Sequence, residues 1–190
     1  LGMIYPVEGK VITSFPAYAM GSLGIVKQVF PMVRIGAGYA YAATGGRRNY
    51  TDYSGSISTD IEASSHGLGA WVSYAVVSGK RYDLSIYGRG DANITRMKIA
   101  HSIYASGYSD SFRSSLGSVS PAGTAGLELF LHFNEFSIGM DGGYTLERPG
   151  KLSHRDGGEE LTDPVDPQRV LTSDWTGWRL QIKAMIWLGS

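Results

Sequence analysis

The chain contains no cysteine among its 190 residues. Disulfides, thiolate metal sites and a cysteine nucleophile are therefore excluded. It has no excess of charge of either sign, with 17 Lys and Arg against 17 Asp and Glu. That removes the electrostatic case for nucleic acid as a partner. Charged residues are also few, at 18%, where roughly a quarter is usual. No apolar run reaches the ~18–20 residues that a membrane helix needs, so a helical membrane protein is excluded. A membrane strand needs only ~9–11 residues of alternating character, and that demand is a separate one. The mean hydropathy of −0.10 suits a soluble protein or a membrane barrel equally. Leu1 opens the chain without a basic n-region or an apolar h-region, so it reads as a mature or trimmed product.

What the chain does have is alternation. Gly, Ser, Tyr and β-branched residues dominate, and few windows carry apolar residues at helical spacing. Leu127, Leu129, Leu131 and Phe133 alternate with Glu128, Phe130 and His132. After Asn134-Glu135, Phe136, Ile138, Met140, Tyr144 and Leu146 alternate with Ser137, Gly139, Asp141, Gly143 and Glu147. Two such runs around two polar residues read as a hairpin. Trp178, Leu180, Ile182, Ile186 and Leu188 oppose Arg179, Gln181, Lys183, Met185 and Trp187. The same rhythm sets Tyr82, Leu84 and Ile86 against Asp83, Ser85, Tyr87 and Arg89, and Leu68, Val72 and Tyr74 against Gly69, Trp71 and Ser73.

The short connections are Phe30-Pro31, Ser78-Gly79-Lys80 and Asn134-Glu135. Long polar stretches, 45–63, 101–120 and 148–172, lie between them and read as loops. About eight strands result: 2–10, 17–29, 32–44, 65–77, 80–95, 122–133, 135–147 and 173–188. The expected fold is all-β, a closed antiparallel up-and-down transmembrane β-barrel of about eight strands, with 1–190 as one domain. Backbone groups in hydrocarbon must pair within the protein, and a sheet meets that demand by closing on itself. Closure also sorts short turns to one end and long loops to the other.

In that arrangement the apolar face looks outward. Tyr39, Tyr41, Tyr74, Tyr82, Phe133, Phe136, Tyr144 and Trp178 fall near strand ends, where rings form girdles at the membrane interfaces. The inward charges are Arg34, Asp83, Arg89, Asp91, Glu128, Asp141, Glu147, Arg179 and Lys183. Buried charges must pair, so Glu128 and Asp141 are expected to face Arg34, Arg179 or Lys183. Eight strands enclose a space that side chains can fill, which predicts a plugged lumen. Small inward residues, Gly36, Gly38, Ala40, Ala42, Gly139 and Gly143, leave a narrow conduit open as an alternative. A soluble lipocalin-like barrel or a β-sandwich alternates in the same way and is the competing fold.

The hairpins Val26–Tyr41 and Phe130–Tyr144, the Ile-Gly-x-Gly-Tyr strand starts and the amphipathic last strand resemble the small outer-membrane barrels, those like the OmpA transmembrane domain or OmpX. The likeness is one of pattern, from about 17 to 188, and it implies a monomer in a bacterial outer membrane. Such proteins usually end in a polar-x-Gly-x-x-apolar-x-apolar signal. Gln181, Ile186 and Leu188 match it, Lys183 stands where Gly is expected, and Gly189-Ser190 follow.

Few residues suggest chemistry. Arg89-Gly90-Asp91 spells an adhesion tripeptide, but Arg89 and Asp91 share inward parity, which favours a lumen ion pair. Lipid A deacylases carry a His with a Ser two residues on; none of His66, His101, His132 and His154 does, and Ser64-x-His66 has the reverse order. His132 reads as a lumen residue near the periplasmic end. Asp156 to Glu160, with Asp163 and Asp166, offers oxygen ligands without calcium-loop spacing. Arg47-Arg48 could meet lipopolysaccharide phosphates. Asn49-Tyr-Thr and Asn93-Ile-Thr are glycosylation sequons by letter only. No catalytic residue, metal or cofactor is expected, and no nucleic acid. The expected role is structural or surface-interacting, with outer-membrane lipids as surroundings. Partners would meet 45–63, 101–120 and 148–172, which carry Tyr50, Tyr53, Tyr104 and Tyr108. The alternatives are a channel, a lipid A-modifying enzyme and a soluble carrier.

Overall fold

The computed structural model describes residues 19–188, apart from 53–54, 106, 149, 156, 163–167, 169, 171 and 174. The protein is all-β. Its long strands are β1 (Ala19–Phe30), β2 (Val33–Asp52), β3 (Gly55–Ser78), β4 (Tyr82–Ala105), β5 (Tyr108–His132), β6 (Phe136–Glu147) and β10 (Gly177–Trp187). Three two-residue strands, β7 (Gly150–Lys151), β8 (Ser153–His154) and β9 (Thr172–Ser173), lie between β6 and β10. The chain reverses at 31–32, 79–81 and 133–135, where Pro, Gly and Asn interrupt the alternation.

The seven long strands pair in a cycle. Their order is β4-β3-β2-β1-β10-β6-β5, and β5 pairs back onto β4. Six of the seven pairings are antiparallel, while β1 and β10 run parallel, with Gly21 opposite Ile182 and Val26 opposite Trp187. This corrects the wholly antiparallel expectation. When successive strands alternate in direction, the first and seventh necessarily point the same way. The expected strand 2–10 lies outside the described residues. Register shifts at Gln28/Phe30 and Ala75/Val77 both fall near the turn end, where bulges commonly adjust twist.

The largest departure concerns the polar stretches. Residues 45–52, 55–63, 101–105 and 108–120 are strand and not loop. They continue β2 into β3 and β4 into β5 in unbroken register, from Ala43 opposite Ser64 to Asp52 opposite Gly55, and from Arg96 opposite Gly117 to Ala105 opposite Tyr108. Near the tips, as at 108–113, both faces are exposed, so the sequence there has no reason to alternate in polarity and resembles a loop; Leu116, Ser118 and Ser120, nearer the band, are buried. Its Thr, Tyr, Ile and Ser content still suits a ladder. The 148–172 stretch does behave as a connection. It carries β7, β8 and the first residue of β9, and it docks β8 on β5 through Leu116–His154 and Gly117–Ser153.

Burial follows parity strictly. Along β6 every second residue is buried or half-buried, from Ser137 to Glu147. The interior of the cycle is polar through its middle, with one apolar cluster toward each end. Val26, Trp71, Phe130 and Met185 pack near the turns. Ala42, Ala63, Met97, Leu116, Leu152 and Trp175 pack at the far end. The outward face carries the large apolar side chains: Leu23 is 66% exposed, Leu68 65% and Ile182 66%.

Candidate functional site

The notable chemistry lies inside the cycle, where ionic side chains are stacked in tiers. The tier nearest the turns joins three strands. Arg34 on β2 pairs with Asp83 on β4, and the same carboxylate contacts His132 Nε2 on β5. His132 Nδ1 lies 2.7 Å from Ser137 Oγ, which accepts the Trp187 indole N–H at 2.7 Å. The Arg34 guanidinium sits 5.4 Å from the Trp187 ring centre, within cation–π reach. Serine, histidine and aspartate thus meet without any motif in the sequence. Ser137 is 1% exposed and the His132 side chain 14%, so the serine is closed off and the imidazole nearly so.

The middle tier contains a like-charge problem and its solution. Glu128 on β5 and Asp141 on β6 are direct register partners, and like charges directly opposite repel. Lys183 on β10 lies 2.9 Å from Glu128 Oε2 and 3.0 Å from Asp141 Oδ2. Asp141 also accepts Tyr87 O–H at 2.6 Å and Gln181 N–H at 2.5 Å. Lys183 Nζ rests 4.2 Å from the Tyr87 ring centre. Arg179, 7% exposed, lies on the same inner face. Trp71 fills the adjoining space, and it can do so because Gly24 and Gly36 face it. A Cβ on Gly24 would stand 2.6 Å from the indole, and one on Gly36 would overlap it. These two glycines are set by close approach.

The upper tier pairs Arg89 with Asp91 at 2.6 Å, both buried. The two charged side chains of the Arg-Gly-Asp tripeptide therefore face inward, while Gly90 is exposed on the other face. Glu147 accepts from Ser120 and, at 3.1 Å, from Asn93. Above it Trp175 donates its indole N–H to Thr95 Oγ1 at 3.0 Å, and the connection between β6 and β10 covers that end. The gaps between tiers are small: about 30 Å³ beside Arg179 and Glu147, and about 10 Å³ beside Arg34 and Ser137. Among the described residues these two hollows have room for no more than a few waters.

Outward, the eight aromatics form two groups. Tyr74, Tyr82, Phe133 and Phe136 lie at the turn end, where Phe133 and Phe136 stack at 4.8 Å. Tyr39, Tyr41, Tyr144 and Trp178 lie toward the far end, with Tyr144 and Trp178 edge-on at 5.3 Å. His66 joins the second group, its Nδ1 2.6 Å from Tyr39 O–H. Arg47 faces Asp60 across the β2–β3 arm at 2.5 and 2.9 Å. The Arg47 hydrogen bond draws the Asp60 carboxyl below its ordinary range, and Asp60 raises Arg47 in turn. On the other arm Asp110 pushes the Tyr108 phenol up, first by its charge and then by a 3.2 Å hydrogen bond. The side chains of Arg48, Tyr50 and His101, and residues Tyr53, Asp156, Asp163 and Asp166, lie outside what is described. Among the described residues no group of three or more His, Asp or Glu could hold a metal.

Parity in the sequence already put Tyr87, Trp71 and Trp187 on the inner face. It did not say which of them would contact the charges. Compared with protein families, curated proteins and solved structures, the chain has no significant match to any of them.

Proposed function

We propose that the chain is a closed β-barrel of a bacterial outer membrane, non-enzymatic, with a plugged interior and a structural or surface-interaction role. One observation carries this reading: the distribution of polarity is inverted. Lys183, Glu128, Asp141 and Asp83 are 0–1% exposed while Leu23, Leu68, Trp178 and Ile182 are 65–70% exposed. A water-soluble protein would pay heavily for both halves of that pattern. In a bilayer the apolar band contacts lipid and costs nothing.

The band also has a suitable height. On β4 it runs from Tyr82 to Ile94, about 30 Å along the bilayer normal at the ~40° tilt usual for barrel strands. Aromatics border it at both ends. Beyond it the paired arms 43–64 and 96–117 project with Tyr104, Tyr108 and Phe112 exposed. Those rings on a rigid ladder supply contact area for a partner. The smallness of the two hollows between the described tiers favours the plug over a conduit.

The test is a gel in which samples are loaded with and without boiling, after folding into detergent and into phosphatidylcholine vesicles. A membrane barrel migrates at two positions and stays with the vesicles through alkaline washing. A single position, with the protein left in the aqueous wash, would remove this reading.

A further inference from the structure

The outward face changes character abruptly at one register row. Below it lies the row Tyr41, His66, Ile94 and Val119; the row itself is Ala43, Ser64, Arg96 and Gly117. The next two rows bring Lys98 and then Arg113, both exposed on the same face. Arg155 joins them from the β6–β10 connection. Its backbone N–H donates to Ser115 O at 3.0 Å, and its Cγ lies 3.7 Å from where a Gly117 Cβ would be. Gly117 is the register partner of Arg96, so four exposed cations converge on one patch.

The patch is not neutralised. Among the described residues no carboxylate lies within ion-pair distance of Arg96, Lys98, Arg113 or Arg155. Asp60 is occupied by Arg47, and Glu62, the register partner of Lys98, forms no ion pair with it. Clustered like charges on neighbouring strand positions repel, and an anion would relieve them. The four cations stand on the outer surface of the sheet, while the hollow of about 970 Å³ at these rows is centred on the inward-parity residues Gly46, Ile61, Ile99 and Ser114 and is not bordered by Arg96 or Arg155. The patch begins where the apolar band ends, the depth at which lipid phosphates lie.

We propose that this outer patch binds the phosphates of an anionic membrane lipid in the leaflet on the arm side, a phosphorylated glycolipid headgroup seated on Arg96, Lys98, Arg113 and Arg155. Guanidinium groups grip phosphate oxygens in pairs, and Lys98 adds a point charge. The assignment rests on the membrane reading above and adds a site to it.

The experiment uses the full chain in phosphatidylcholine vesicles doped with bis-phosphorylated lipid A or with its phosphate-free counterpart. Lipid retained through extraction is counted by native mass spectrometry. The phosphorylated lipid should be enriched over phosphatidylcholine and the phosphate-free one should not. Each cation replaced by Gln should lower the enrichment about five-fold, with boiled and unboiled mobilities unchanged because these side chains are exposed. Glu62→Gln should raise it. Equal retention of both glycolipids, or enrichment that survives replacement of all four cations, overturns the proposal. So does inorganic phosphate that displaces the lipid at the concentration of its own phosphates. A chain that fails to enter the vesicles overturns the membrane reading together with this site; one that enters without selecting overturns the site alone.

Discussion

Lys183 Nζ lies 2.9 Å from Glu128 Oε2, although β10 and β5 are not neighbours; β6 runs between them. The lysine reaches across because Asp141, on the intervening strand, is the register partner of Glu128 and also needs a cation. One ammonium therefore holds three strands at fully buried positions.

Replacing that ammonium should be severe. Lys183→Met leaves two buried carboxylates facing each other, and breaking a buried pair costs about 3–5 kcal/mol. Glu128→Gln in the same chain should recover part of the loss. Urea unfolding in vesicles across the double-mutant cycle checks this, and additive effects would mean that the residues do not couple.

Gly36 should resist even a methyl group. Gly36→Ala drives a Cβ into the Trp71 indole, and overpacking costs about 1–3 kcal/mol. Trp71→Ala should return part of that cost. The remainder should persist, because the Cβ would also stand 2.8 Å from Ile25 O. Unfolding midpoints of the two single variants and the double variant measure both terms.

A charge should be tolerated on the arms and not on the band. Leu127→Arg, outward on β5 and 54% exposed in the wild type, should destabilise the inserted protein by about 2–4 kcal/mol. Thr51→Arg, exposed near the tip of an arm, should stay within about 0.5 kcal/mol. If both positions accept arginine equally in vesicles, the band does not face hydrocarbon.

Acid should loosen the β2–β3 arm. Asp60 has its carboxyl lowered by Arg47 in the folded arm, so its contribution is present above the ordinary carboxylate range. It is lost as pH falls through the depressed folded value. Both groups are well exposed, so the effect is small and salt-sensitive. Hydrogen-exchange protection of amides 43–64 should drop on acidification in the wild type. Asp60→Asn should show lower protection at neutral pH and no further acid-dependent loss from this pair.

Much of this architecture could be read from order alone. The alternation of Leu127 to Leu146 and of Trp178 to Leu188 determined strand, face and turn, because a pleated strand sends successive side chains to opposite sides. The same parity sorted all nine ionic residues from the eight aromatics. Alternation could not reveal the tips of the arms, as at 108–113, since water on both faces erases the signal that burial imprints. Nor could it give pairing. The parallel contact of β1 with β10, the meeting of Ser137, His132 and Asp83, and the bridge from Lys183 over β6 join residues far apart in the chain, as Leu23 opposite Ala184 does in the ladder. Only closure of the sheet brings them together, because register around a cycle is a property of all its strands at once, and no single segment carries it.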